Sequence, residues 1–220
     1  MTAVTIQGKT FQTHQWQPSS WEEYVRLRDD STLERARIFF DQGWLWVDMG
    51  GEGINHASIG DLFIGFFFLW AMTHPAEKYT SISRCQLEKV GVRAAAPDLV
   101  FYVGEEVPQW RRGESRYIKL DSVRAPDLVG EISDTTLALD MDEKKRIYAA
   151  LGISEYWVIN TQGKQVFFFQ LQAGGSYEES ETSQIFPGLS VELLEQTLER
   201  LETEPNTAAA LWLSQQLQKS

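Results

Sequence analysis

Residues 126–133, Pro-Asp-Leu-Val-Gly-Glu-Ile-Ser, form an apolar run opened by proline and interrupted by one glutamate. Proline suits the first position of a strand, and a run this short reads as a buried strand over Leu128–Ile132. Eleven residues beyond Ser133 stands Lys144. Positions three, four and seven residues further on share its face on a helix, and they are Ile147, Tyr148 and Leu151. Lys144 therefore lies on the apolar face of a helix over 140–151, with Asp140 one turn earlier on the same face. Lys145 points about 100° away, toward the flank. A glutamate in a core strand and a lysine on a core-facing helix are costly unless they are paired, metal-bound or catalytic. The plainer alternative for Lys144 is a stem in the core with its ammonium at the edge.

The rest of the chain supplies a scaffold for such a pair. Ser20 and Glu23 fit a capping box at the start of a helix. Residues 36–40 and 44–48 flank Asp41-Gln42-Gly43, a hairpin signal. Asn55 is placed to cap a helix from His56 to about Thr73, closed near Pro75. Val90–Arg93 reads as a strand edge, Leu99–Val103 as a strand, and 104–125 as a loop. Gly152 ends the helix that carries Lys144. Strands follow at 155–160 and 165–171, then helices near 191–202 and in the tail beyond Pro205. The expected fold class is α/β, a mixed central sheet flanked by helices, with an N-terminal hairpin and C-terminal helices. Residues 1–205 are expected to form one domain and 206–220 a helical tail.

Composition narrows the setting. The 220 residues are 43% hydrophobic, enough for a core, and carry a net charge of −11. That charge argues against nonspecific attraction to nucleic acid or an anionic membrane surface. The lone cysteine, Cys85, cannot form an internal disulfide, which fits a reducing cytoplasm. The apolar run from Leu62 to Met72 is eleven residues, too short to span a bilayer, and is expected to be a buried helix. Arg111, Arg112, Arg116 and Lys119 cluster in sequence, most simply as a solvated loop.

Two Pro-Asp pairs, Pro97-Asp98 and Pro126-Asp127, each precede an apolar strand. An aspartate there can cap local backbone donors, and that account suits Asp127 better than Asp98. Asp98 and Glu131 on neighbouring strands make a hard-oxygen pair suited to Mg²⁺ or Mn²⁺. A lysine beside them can hold an attacking water or stabilise charge on a phosphate. Asp, Glu and Lys together are what metal-dependent phosphodiester cleavage needs. No P-loop, dinucleotide glycine fingerprint, paired-cysteine zinc motif or serine elbow competes with this reading.

Residues 96–101 (Ala-Pro-Asp-Leu-Val-Phe), 126–133 and the series Glu143-Lys144, Tyr148, Gly152, Glu155-Tyr156-Trp157 resemble the Uma2 family, restriction-endonuclease-like proteins of the PD-(D/E)XK nuclease superfamily. The likeness covers roughly residues 20–195. It implies a mixed sheet flanked by helices and Mg²⁺-dependent cleavage of DNA. Carried over by position, Asp98 is the first strand carboxylate and Glu131 the acid of the E-x-K element, the two metal ligands. Ser133 stands where the superfamily's lysine would be, and Lys144 on the following helix takes that role. His56 matches a histidine opening the long helix, as a base or as a partner to the ligands. Asp127, Glu34 and Asp61 are weaker acidic candidates. DNA is the implied partner, and strand 165–171 with the C-terminal tail is a candidate homodimer interface. The competing reading is a catalytically silent nuclease-like module for binding or regulation, which the acidic composition favours.

Overall fold

The structure, a computed structural model, describes residues 3–6, 8–51, 53–114 and 116–219. Its strands, in chain order, are β1 (Ala3–Ile6), β2 (Lys9–Gln12), β3 (Gln17–Pro18), β4 (Arg37–Asp41), β5 (Trp44–Asp48), β6 (Tyr79–Ser83), β7 (Leu87–Lys89), β8 (Arg93–Ala95), β9 (Leu99–Val103), β10 (Ile118–Lys119), β11 (Leu128–Ser133), β12 (Glu155–Asn160), β13 (Gln165–Leu171) and β14 (Tyr177–Ser180). The helices are α1 (Trp21–Arg28), α2 (Ile54–Thr73), α3 (residues 137–150, with Asp140–Lys144 as a π-helical turn), α4 (Val191–Arg200) and α5 (Asn206–Leu217).

These elements gather into two compact units. The smaller comprises Met1–Gly51, Cys85–Ala96 and Trp110–Val123; the larger comprises Glu52–Arg84, Pro97–Gln109 and Arg124–Ser220. The smaller unit holds the hairpin β1–β2 and a sheet in the order β10-β7-β8-β4-β5-β3. Tyr24 and Leu27 of α1 pack on Ile38, Phe40, Leu45 and Val47 of the β4–β5 hairpin. Its two-residue turn, Gln42-Gly43, has φ of 47° and 92°, as the primed hairpin turns require. The expected capping box at Ser20 and Glu23 is present. Val90–Arg93 is not a strand edge: Gly91 turns there at φ 75°, between β7 and β8.

The larger unit is built on a six-stranded mixed sheet in the order β14-β13-β12-β11-β9-β6. Only its β11–β12 pair is parallel, with Glu131 opposite Val158. Parallel neighbours need a crossover, and α3 supplies it. The opposite sheet face carries α2, α4 and α5 over Leu99, Phe101, Leu128, Trp157 and Phe168. The eleven-residue apolar run belongs to a twenty-residue helix, α2, which by length and composition alone could cross a bilayer. In this fold its inward face, including Ile59, Phe63, Phe66, Phe67 and Trp70, is buried in the core. The helix starts earlier than expected, with Gly53 at the cap, so Asn55 lies in the first turn and caps nothing. Phe168 and Phe169 of β13 and Ala209, Ala210 and Leu213 of α5 are buried within the unit's own fold. Those side chains are thus unavailable to the homodimer interface expected there.

Candidate active site

Side chains alternate along β11. Leu128 and Ile132 join the core with α2, and Gly130 faces Leu99 so closely that a Cβ would lie 3.1 Å from the leucine Cδ1. Val129, Glu131 and Ser133 point to the other face, where α3 crosses. Gly130 lets the β9 and β11 strands approach with the bulky Leu99 between them. The register pairs Leu99 with Gly130, so Asp98 falls one step further on, beside Glu131.

Helix α3 meets this face through its π-helical turn. Asp140 and Lys144 stand at the two ends of this turn, and single π-turns recur at functional sites. Lys144 Nζ lies 3.1 Å from Glu131 Oε2 and 2.7 Å from Asp140 Oδ1. The Tyr148 hydroxyl donates to Glu131 Oε1. The Thr136 hydroxyl donates to Asp140 Oδ2 at 2.7 Å, and the Tyr156 hydroxyl donates to the Asp140 carbonyl at 3.0 Å. Burial, and then the charges of Asp140 and Glu131, push the Tyr156 phenol well above its usual range, so it remains a donor. Lys145 goes elsewhere: its Nζ stands over the Phe169 ring at 3.7 Å, and burial lowers its pKa.

Asp98 sits at the start of β9. Its Oδ2 accepts the Ile132 backbone N–H at 2.8 Å and lies 3.3 Å from His56 Nε2. His56 occupies the first turn of α2. The structure therefore gathers the four expected residues into two linked pairs, Lys144 with Glu131 and His56 with Asp98. All four are buried, Glu131 to 1% exposure and Lys144 to 3%.

Other candidates lie apart. Asp127 accepts the Val103 backbone N–H at 2.7 Å and pairs with Arg124 at 2.8 Å, a strand-start cap as its Pro-Asp context suggests. Asp61 is exposed on α2. Glu34 is exposed in the smaller unit, 3.7 Å from Arg116. Arg111, Arg112, Arg116 and Lys119 are exposed on the loop around β10. Ser133 is fully buried, and its hydroxyl has no hydrogen-bond partner among the described residues. Asp140, Tyr148 and Tyr156 were the residues sequence reasoning left without a role. The four-residue spacing of Asp140 to Lys144 was the available signal, but on an ordinary helix it means no more than a shared face.

The donor set suits a small hard cation. Asp98, Glu131 and Asp140 are buried carboxylates, and the Lys144 ammonium lies 3.1 Å from Glu131 and 2.7 Å from Asp140. Among the described residues no three His, Cys, Asp or Glu side chains form a ready cage. Two carboxylates with the remaining positions taken by water is the way Mg²⁺ is commonly held.

Comparison with known proteins follows the same line. The pattern of the Uma2 family, described as “Putative restriction endonuclease”, matches residues 21–206. The chain belongs to the Uma2 family. A solved structure from Anabaena variabilis ATCC 29413, titled as “a putative nuclease belonging to DUF820”, is similar with a TM-score of 0.57. Identity is 17%, over 82% of this chain and 99% of that one, a likeness of fold. No curated protein matches the chain. For this Uma2 member, the crossover unit β11–α3–β12 and the strand β9 are the elements that assemble the acid–lysine cluster.

Proposed function

We propose that this protein is a Mg²⁺- or Mn²⁺-dependent nuclease that hydrolyses phosphodiester bonds of DNA. Asp98 and Glu131 hold the cation, Lys144 holds the attacking water, and His56 orients Asp98. The observation that carries the reading is the buried ammonium of Lys144, 3.1 Å from a strand carboxylate that lies next to Asp98 in register. The family's description and the neighbour's printed title, both of nucleases, support it.

Hydrolysis requires a water oxygen to bond to phosphorus while the phosphorus–oxygen ester bond opposite it breaks and the leaving oxygen gains a proton. A fixed ammonium offers a donor for the water and a positive charge beside the phosphate, where negative charge grows. Tyr148 fixes the Glu131 carboxylate and Asp140 fixes Lys144, so these groups need no reorganisation during the reaction. The chemistry supplied by the cation, when bound, is neutralisation of phosphate charge and easier deprotonation of water.

The test is incubation of the purified protein with single- and double-stranded DNA and Mg²⁺ or Mn²⁺. Cleavage that stops with a chelator, and that is lost in Glu131→Ala, is the expected result. DNA left intact by a folded protein that binds Mn²⁺ would favour the binding-module reading, on whose side stands the net charge of −11.

A further inference from the structure

We propose that Asp140 is a positioning residue that takes over Lys144 when Glu131 turns to a divalent cation; this rests on the metal-site reading above. The ammonium is already shared, 3.1 Å from Glu131 and 2.7 Å from Asp140. Asp140 is anchored and fully buried: Thr136 donates to its Oδ2 and Tyr156 to its carbonyl. It stands at the other end of the π-helical turn from Lys144, 2.7 Å from the lysine ammonium. Glu131 is held by the Tyr148 hydroxyl on Oε1, which leaves Oε2 as the oxygen that changes partner.

A cation on Glu131 repels the ammonium beside it. A buried lysine left without a carboxylate is strongly unfavourable. Asp140 removes that obstacle, because Lys144 keeps one ion pair when Glu131 changes partner. Metal binding then exchanges partners and leaves no charge stranded.

The experiment is a double-mutant cycle read by Mn²⁺ affinity, using electron paramagnetic resonance on the full chain. The variants are Asp140→Asn, Lys144→Gln and their combination, with Lys144→Met as a second neutral substitute should the glutamine variant not fold. Asp140→Asn keeps the size of the side chain and an acceptor for Thr136. It should weaken Mn²⁺ binding by about 10- to 100-fold, the range for groups that support a metal ligand. With Lys144 neutralised, the same substitution should cost far less, because no ammonium is left to rehouse. A purely through-space effect of the lost charge would be the same in both backgrounds, and that additive result overturns the hand-over alone. Wild-type protein that takes up no Mn²⁺ overturns the metal-site reading and the hand-over with it.

Discussion

The Tyr148 hydroxyl donates to Oε1 of Glu131, while Lys144 stands 3.1 Å from Oε2 of the same carboxylate. Each oxygen has its own partner inside the fold, and the Tyr148 bond is the one that anchors the carboxylate. Tyr148→Phe removes one of those donors and keeps the ring that packs on Tyr156, 4.9 Å between centroids. A buried acceptor deprived of its donor costs about 1–3 kcal/mol. Denaturant unfolding should register that loss, and DNA cleavage should slow. Unchanged stability would mean that the hydroxyl does not restrain Glu131.

Glu155 opens β12 and is fully buried, held by Trp157 Nε1 and the Ser183 hydroxyl at 2.6 Å each and by the Gln184 N–H at 2.7 Å. Burial raises its pKa, only partly opposed by those bonds. A carboxyl raised in the folded state binds its proton more tightly there than in the unfolded chain. Its contribution is therefore largest below the usual 4.5 and shrinks as pH rises through the raised value. The stability difference between wild type and Glu155→Gln should fall as pH is raised from about 4 to about 8. A difference that grows over that range would reverse the assignment.

How far these features are visible in the amino-acid sequence depends on whether they are local. The capping box at Ser20, the turn at Gln42-Gly43 and the strand at 128–133 follow from neighbouring residues, and all were legible. So was the burial of Lys144, because helical phase is a local property. The π-helical turn was not: the tertiary bond from Tyr156 to the Asp140 carbonyl accompanies it, and no spacing within 137–150 announces that partner. The division into two units was also hidden. Its segments alternate along the chain at Gly51, Arg84, Ala96, Gln109 and Val123, and although glycines mark the first passage, the one at Arg84-Cys85 has neither proline nor glycine beside it. Asp98 needed the β9–β11 register to fall beside Glu131.

Glu23 shows the opposite electrostatic sign in the smaller unit. Its side chain accepts from Lys9, from the Ser19 hydroxyl and from the Ser20 backbone, and these lower its pKa to about 2. A depressed carboxylate adds stability above its usual 4.5, and that contribution disappears as pH falls toward 2. Wild type should thus lose its advantage over Glu23→Gln on acidification, followed through the fluorescence of Trp21 in α1. Lys9 is half exposed, so added salt should shrink the advantage as well. An advantage indifferent to both pH and salt would assign it to packing instead.

The C-terminal helix offers a test of how the larger unit is held together. Leu213 is fully buried in the core that also holds Phe63 and Phe66 of α2, and Ala210 approaches Gly65 so closely that a Cβ there would lie 3.8 Å from the alanine's. An unoccupied volume left at such a site is only partly closed by relaxation, and leucine-to-alanine changes in cores cost about 2–5 kcal/mol. Leu213→Ala should lose that much in denaturant unfolding. Truncation after Pro205 removes Ala209 and Ala210 as well and uncovers aromatic surface of α2, so it should lose more and promote aggregation. A truncated chain as stable and as monodisperse by light scattering as the full one would show that α5 is dispensable to the core.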